Sequence, residues 1–475
     1  MSRFVTARDA AALDLLERAR RGPVHFMGVC GAGMSALAEY VVRSGGRATG
    51  CDTRPENAPP ALAALGVDVM QGHDPAHVDG VEAVVVTAAV AVDHPELEAA
   101  RALGIPVLKR AAALGALVNP GRVVAIAGTH GKTTTTALVA TVLESAGLDP
   151  TAFVGGRVPA WQGGLRAGGT LFVVEADEYD RSFLALRPEV AVVTTLEPDH
   201  MEVFGDLGSL QAAFRDFLDA VPGEGLIVTC VDDPGVADLV ATLPPERILT
   251  YGLDAGADLR AVDLAADAGG TRFRVTGMAA LAGEYRIPVP GRHNVRNALA
   301  AIGVAGYLGA DPEAIRRGVA GFHGVERRFQ LLGEPRGIAV IDDYAHHPTE
   351  VEVTLEAARE RFPDRRLVAV FQPHLYSRTR DHWRAFGRTL AAADVVWVTD
   401  VYAAREAPIE GVTGDLVAGA ARQAGAEVVY HPELDSLVED LSDALLPGDV
   451  CLLMGAGDIH AHAHALQTRL EEAAA

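Results

Sequence analysis

The sequence predicts an α/β protein of three domains, each built on a mainly parallel sheet. Three observations predict it: the length, the alternation of short apolar runs with helical stretches, and glycine-rich turns at strand-to-helix junctions. At 475 residues the chain holds about three domains on a ~150-residue scale. Short β-rich runs followed by helical patterns are the signature of parallel sheets with crossover helices.

The first third reads as strands at Val24–Val29, Ala48–Cys51, Ala83–Thr87 and Ile105–Leu108. The turn-rich segment Val118-Asn119-Pro120-Gly121 marks a first boundary. A second set of strands is expected at Val123–Ala127, Leu171–Val174, Val190–Thr195 and Leu226–Thr229. From about Tyr251 to Pro290 the helical pattern weakens, and the alternation in Thr271-Arg272-Phe273-Arg274-Val275 predicts an antiparallel excursion at a sheet edge. A second boundary falls near Gly321-Phe322-His323-Gly324, giving domains 1–120, 121–322 and 323–475. Strands at Ile338–Ile341, Leu367–Phe371, Val395–Thr399, Glu427–Tyr430 and Val450–Met454 form the last unit.

Composition removes several function classes. A net charge of −22 repels nucleic acid and anionic membrane surfaces. Four dispersed cysteines (Cys30, Cys51, Cys230, Cys451) without CxxC spacing read as reduced thiols. The charged N-terminus lacks a signal-peptide core, and no apolar run approaches the ~18 residues of a membrane span. A cytoplasmic protein is expected, as a monomer or a homodimer. Only two of the 41 basic residues are lysines, Lys109 and Lys132, and Lys132 lies in the sharpest motif.

That motif is Gly128-Thr129-His130-Gly131-Lys132-Thr133-Thr134, directly after the strand Val123–Ala127 and opening a helix. Its backbone amides can curl around phosphate at a helix N-terminus. Lys132 can reach β/γ-phosphates and the Thr133 hydroxyl can take Mg²⁺. The two glycines stand closer together than in the standard Walker A form. The bland alternative is a glycine turn that happens to carry Lys-Thr. Val174-Glu175-Ala176-Asp177-Glu178-Tyr179-Asp180 ends another strand at the edge where α/β sheets hold ligands. Oxygen donors there suit Mg²⁺, with Glu175 first because it directly ends the strand; otherwise the run is an exposed acidic turn. Glu197-Pro198-Asp199-His200 ends a strand of the same sheet, where it either faces the same cleft or only caps a helix.

The first domain offers Gly28-Val29-Cys30-Gly31-Ala32-Gly33-Met34-Ser35 and then Asp52 at the end of the next strand. This order differs from GxGxxG, so a nucleotide diphosphate is expected and a nicotinamide need not follow. In the last third, Asp342-Asp343-Tyr344-Ala345-His346-His347-Pro348 and Gln372-Pro373-His374-Leu375-Tyr376-Ser377-Arg378 come after successive strands. They form one substrate surface or two separate loops. Gly291-Arg292-His293-Asn294-Val295-Arg296-Asn297 opens a helix, with Asn294 and Asn297 on one face.

Taken together, GVCGAGMSALAE, AGTHGKTTTT, EADEYD, EPDHME, GRHNVRNALAA, GVERRF, DDYAHHPTEV, FQPHLYSRTR and MGAGDI, in this order over nearly the whole chain, resemble the Mur ligase family, and within it the alanine-adding branch. The resemblance implies an N-terminal Rossmann-like UDP-binding domain, a central P-loop ATPase and a C-terminal Rossmann-like amino-acid domain. It implies ATP and Mg²⁺, and the joining of L-alanine to the lactyl carboxylate of UDP-N-acetylmuramic acid through an acyl phosphate. Carried over by residue, Gly28, Gly31, Ala32, Gly33, Met34, Ser35 and Asp52 match the UDP-sugar site. Gly128, Thr129, His130, Gly131, Lys132, Thr133, Thr134, His293, Asn294, Asn297, Arg328 and Asp343 match positions around ATP. Thr133, Glu175 and His200 match the metal ligands, while Tyr344, His346, His374 and Arg378 match the amino-acid pocket. Lys132, Glu175, His200, Arg328 and His346 are the catalytic candidates.

Two departures stand out. Leu375 comes after the histidine of the FQPH motif, where some relatives carry an arginine, and no lysine lies between Asp199 and Pro222, where branches adding later residues use a carbamylated one. The second absence fits the alanine-adding branch. The nearest rival is a recycling ligase that attaches a tripeptide to the same UDP-sugar. A nicotinamide dehydrogenase would leave the phosphate loop and acidic motif unexplained, and a non-catalytic regulator would leave Lys132, Glu175 and His200 without purpose.

Overall fold

The computed structural model describes residues 4–87 and 89–473. Among these residues the strands assemble into three sheets. The first has five parallel strands in the order Asp68–Gln71, Ala48–Asp52, Val24–Met27, Ala83–Val86, Val107–Lys109. The strands Val24–Met27 and Ala83–Val86 are buried along their whole length. Near-continuous apolar runs are what a parallel sheet covered on both faces requires.

The second sheet has ten strands. Its parallel heart runs Ile248–Gly252, Leu226–Cys230, Val190–Val193, Arg122–Ala127, Leu171–Glu175, Thr151–Val158, and an antiparallel strand Gly163–Arg166 closes that edge. At the other edge lie Leu259–Asp267, Gly270–Thr276 and Gly283–Ile287. Only residues 268–269 join the first two of these neighbours, a connection short enough for an antiparallel pair alone. The third sheet runs Gln330–Gly333, Ala339–Asp343, Val450–Met454, Leu367–Phe371, Val395–Val398, Glu427–Tyr430, antiparallel only at its first pair.

By its contacts the chain divides into two compact units. One comprises residues 1–262, 274–285 and 296–322, and therefore holds the first sheet together with the parallel heart of the second. The other comprises residues 263–273, 286–295 and 323–475 and holds the third sheet. The fold class agrees with the sequence reading, and most strands fall within two residues of their expected bounds. The hairpin Thr151–Val158 with Gly163–Arg166 and the edge strands Asp68–Gln71 and Gln330–Gly333 were not expected. No helix among the described residues is long and apolar enough to cross a membrane, and all four cysteines are free thiols.

Candidate active site

The phosphate-loop candidate grows from the buried strand Arg122–Ala127, whose apolar run stops at two glycines with left-handed backbone, Gly128 at φ +129° and Gly131 at φ +80°. A Cβ on Gly128 would collide with the Thr194 hydroxyl, so only glycine fits there. The loop is pinned on the next strand's exit: Thr129 donates its amide to the Thr195 carbonyl (2.9 Å), and His130 donates to the Thr195 hydroxyl (2.9 Å). Lys132 then opens the helix Lys132–Ser145, whose first amides have no partner four residues back.

Three groups surround the Lys132 ammonium. Nζ donates to the carbonyls of Gly128 (2.6 Å) and Thr129 (3.1 Å) and to Glu178 Oε1 (2.8 Å). Burial opposes its charge, but Glu178, Asp177 and Glu175 outweigh burial and hold it above the ordinary lysine range. One residue on, the Thr133 hydroxyl donates to Glu175 Oε1 (2.9 Å), while Glu175 Oε2 takes the Gly155 amide (2.5 Å). Glu175 is the last residue of its strand, and the structure brings it together with Thr133, both read from the sequence as metal ligands. These are hard oxygen donors side by side, the set Mg²⁺ favours.

The acidic loop beyond Glu175 kinks through Asp180 (φ +53°) and Arg181 (φ +54°). It is anchored by Phe183, fully buried against Phe214 and Phe217 with ring centroids 5.1 Å apart in both pairs. Burying one such ring contributes about 2 kcal/mol, enough to hold a strained turn. The kink turns Tyr179 edge-on to the His200 ring (5.2 Å). His200 itself sits in left-handed backbone at φ +55°, its amide on Asp199 Oδ1 (2.8 Å). His200 is thus tied to the acidic loop through Tyr179. Asn297 approaches Gly131 closely enough that a Cβ there would meet its Oδ1 at 3.1 Å. Thr134 is buried in the first helical turn.

Sequence reasoning missed Glu178, which lies within the acidic run without a predicted role; it is the buried partner of Lys132. The signal was its place one turn beyond Glu175, but spacing alone does not say which carboxylate of the run turns inward.

The first glycine turn is lined differently. Gly28 (φ +78°) and Val29 donate their amides to the Cys51 carbonyl (2.8 and 3.2 Å). Asp52 accepts from the amides of Cys30 (3.1 Å) and Arg54 (3.1 Å). Gly31, Ala32, Gly33, Met34 and Ser35 form the start of the helix, Met34 and Ser35 donating to the Gly31 carbonyl (2.9 Å each). The Arg110 guanidinium lies against Gly33 and reaches Asp177 (3.3 Å), and Lys109 reaches Asp180 (2.7 Å). Arg110 therefore links this turn to the acidic loop.

In the other unit, Asp342 and Asp343 end the strand Ala339–Asp343. Asp343 accepts the amides of Phe329 and Ala345 (2.7 Å each), and burial pushes its carboxyl up to about 6 against the pull of Arg328. Arg327 donates to the Gly455 carbonyl (2.6 Å), and both Arg327 and Arg328 lie over the Tyr344 ring (4.8 and 5.1 Å). His346 stacks edge-on to Tyr344 (5.1 Å) and His374 (5.9 Å). Its Nδ1 faces the Tyr344 carbonyl (2.9 Å) and Glu350 (3.1 Å). Burial, His346 and Arg378 push His374 down to about 4. Tyr344, His346 and His374 thus form one surface, and Arg378 lies on the next helix, Tyr376–Leu390. In the same unit His293 packs at Gly291, and Asn294 donates to the Pro290 carbonyl (2.7 Å).

Three family models cover the chain in order: Mur ligase family, catalytic domain over residues 23–122; Mur ligase middle domain over 126–305; and Mur ligase, glutamate ligase domain over 327–457. The chain belongs to the Mur ligase family. It is 44% identical to a UDP-N-acetylmuramate–L-alanine ligase of Salinibacter ruber, over 94% of this chain and 95% of that one. It is 45% identical to the protein of the same name from Bradyrhizobium diazoefficiens, over 94% and 98%. Among solved structures, the Thermotoga maritima UDP-N-acetylmuramate-alanine ligase matches with TM-score 0.82 at 29% identity, covering 95% of this chain and all of that one. A murein peptide ligase of Psychrobacter arcticus matches with TM-score 0.68 at 26% identity, over 95% and 99%. Within the Mur ligase family the Lys132, Thr133 and Glu175 cluster belongs to the middle-domain match and the Tyr344, His346 and His374 surface to the last one.

Proposed function

We propose that this chain joins L-alanine to the lactyl carboxylate of UDP-N-acetylmuramic acid, converting ATP to ADP and phosphate, as a step in building peptidoglycan precursors. The observation that carries the reading is the Lys132–Thr133–Glu175 cluster at the strand ends of an α/β sheet. It occurs in a chain similar over nine-tenths of its length to enzymes named for that reaction.

The domains assigned are 1–120 for the UDP-sugar, 121–322 for ATP and 323–475 for the amino acid. The sugar carboxylate attacks the γ-phosphorus, giving an acyl phosphate and ADP; the alanine amine then attacks the acyl carbon, and the tetrahedral intermediate expels phosphate. Phosphoryl transfer rests on positioning and charge neutralisation. The loop Gly128, Thr129, His130, Gly131 and Thr134 cradles phosphate, with His293, Asn294, Asn297 and Asp343 around the nucleotide. To reach phosphate, Lys132 exchanges its Glu178 partner for γ-phosphate oxygens, and Arg328 adds a second cation. The oxygen donors of Thr133 and Glu175 fit Mg²⁺, and with His200 they would hold it to neutralise charge on the phosphates.

Alanine arrives as an ammonium and loses a proton before attack. His374, held near 4, is a weak acceptor at neutral pH. His346 is better placed: a carbonyl can only accept, so Nδ1 carries the proton and Nε2 keeps its lone pair. Tyr344 and Arg378 shape the pocket around the amino acid.

The test is ADP release with UDP-N-acetylmuramate and a panel of amino acids and peptides. L-alanine should give the fastest turnover. Comparable turnover with the tripeptide L-alanyl-γ-D-glutamyl-meso-diaminopimelate would move the chain to the recycling branch.

A further inference from the structure

The first sheet carries a second polar centre that the ligation chemistry does not use. Glu96, at the start of the helix Pro95–Ala102, is completely buried. Its ion-pair partners are four imidazoles: His77 Nδ1 at 2.7 Å, His73 Nδ1 at 3.0 Å, His25 Nε2 at 3.8 Å and His94 Nδ1 at 3.9 Å. Cys51 Sγ lies 3.5 and 3.7 Å from the two carboxylate oxygens and 3.3 Å from His73 Nδ1. His25 is also completely buried; Thr49 Oγ1 holds its Nδ1 at 3.0 Å, and its Nε2, aimed into the cluster, has no hydrogen-bond partner. At 3.8 Å from Glu96 that nitrogen is beyond hydrogen-bond reach, and a buried polar atom left so calls for a ligand.

The ligand atoms of His25, Cys51, His77 and Glu96 all lie within 4.8 Å of one another. Around a tetrahedral zinc, with bonds of about 2.0–2.3 Å, donor atoms stand roughly 3.3–3.8 Å apart. Small shifts bring the cluster to that spacing: His77 Nδ1 and Glu96, at 2.7 Å, move apart, and the wider pairs close in. We propose that His25, Cys51, His77 and Glu96 bind a structural Zn²⁺. One thiolate, two imidazoles and a carboxylate suit a borderline-soft ion, whereas Mg²⁺ and Ca²⁺ call for oxygen donors throughout. Four protein ligands close the shell, the mark of a structural site. Thr49 supplies the outer hydrogen bond that orients a ligating histidine. His73 and His94, 23% and 22% exposed, line the way in. On binding, the Cys51 thiol releases its proton to solvent and the thiolate takes the metal.

The centre lies beneath the first glycine turn. The Cys51 carbonyl takes the Gly28 and Val29 amides, and the adjacent Asp52 takes that of Cys30. Zinc would therefore stiffen the strand that shapes this turn.

The experiment uses the full chain stripped of metal with a chelator, then titrated with Co²⁺ and with Zn²⁺. Co²⁺ should produce a thiolate-to-metal charge-transfer band and the intense visible bands of a tetrahedral site. The charge-transfer band should vanish in Cys51→Ser and persist in Cys30→Ser. Zn²⁺ should raise the Tm of the parent chain, and His77→Ala, its fold checked by circular dichroism, should weaken zinc binding at least ~10-fold. Absence of the band, its survival in Cys51→Ser, or an equal zinc-induced Tm rise in His77→Ala would overturn the site and leave a hydrogen-bonded His–Glu network alone.

Discussion

Two strand–glycine–helix turns in this molecule share a backbone plan and differ in the side chains gathered around them. After Gly28 the turn is completed by its own amides, the Cys51 carbonyl and Asp52, with Arg110 alongside. After Gly128 the turn receives an ammonium and a hydroxyl, each within 3 Å of a carboxylate: Lys132 on Glu178 and Thr133 on Glu175. Glycine makes the close approach possible in both. The side chains decide the chemistry: the first turn can position an anion, whereas the second can also neutralise charge that develops during reaction.

The largest effect expected from breaking this contrast is at Lys132. Lys132→Arg keeps the charge, but a planar guanidinium cannot sit between the Gly128 and Thr129 carbonyls where a compact ammonium fits. A displacement of ~1 Å can cost ~10²-fold in rate, so kcat should fall by at least that factor while thermal melting shows an intact fold. Near-normal kcat would remove the shape argument. Next come Glu175→Ala and His200→Ala, each expected to lower turnover roughly 10²-fold through lost electrostatic stabilisation. Calorimetry should find UDP-N-acetylmuramate binding unchanged in both; its loss would show that the two turns are not separable.

On the first turn, Asp52→Ala leaves two backbone amides without their acceptor. Each unmet donor costs about 1–3 kcal/mol when buried and less when solvent can reach it. KM for the sugar nucleotide should rise about tenfold, with kcat little changed, the pattern of lost uniform binding. A fall in kcat with constant KM would place Asp52 in the chemistry instead. The smallest effect belongs to Lys109→Arg, whose pair with Asp180 is exposed on both sides. Such pairs are worth at most ~1 kcal/mol, so steady-state rates should match the parent chain.

The contrast was partly legible in the sequence. Lys132, Thr133 and Glu175 lie in short motifs at strand ends, and a parallel sheet brings strand ends together, so local spacing sufficed to place them at one edge; the direct Thr133–Glu175 hydrogen bond was not foreseen. Glu178 was not legible, because its place at an irregular, kinked 3-10 turn is something no periodicity reveals. The strand Thr151–Val158 escaped notice because its Gly155-Gly156 pair reads as a turn. The cluster around Glu96 escaped for a different reason: His25, Cys51, His77 and Glu96 lie on four separate elements, and only the sheet gathers them.

The most direct test of the division between the two turns is calorimetry of Lys132→Ala and Asp52→Ala, each titrated with ATP–Mg²⁺ and with UDP-N-acetylmuramate. The account predicts a double dissociation: Lys132→Ala loses affinity for ATP and keeps it for the sugar nucleotide, and Asp52→Ala does the reverse. Loss of sugar-nucleotide affinity in Lys132→Ala, with ATP affinity unchanged, would contradict it.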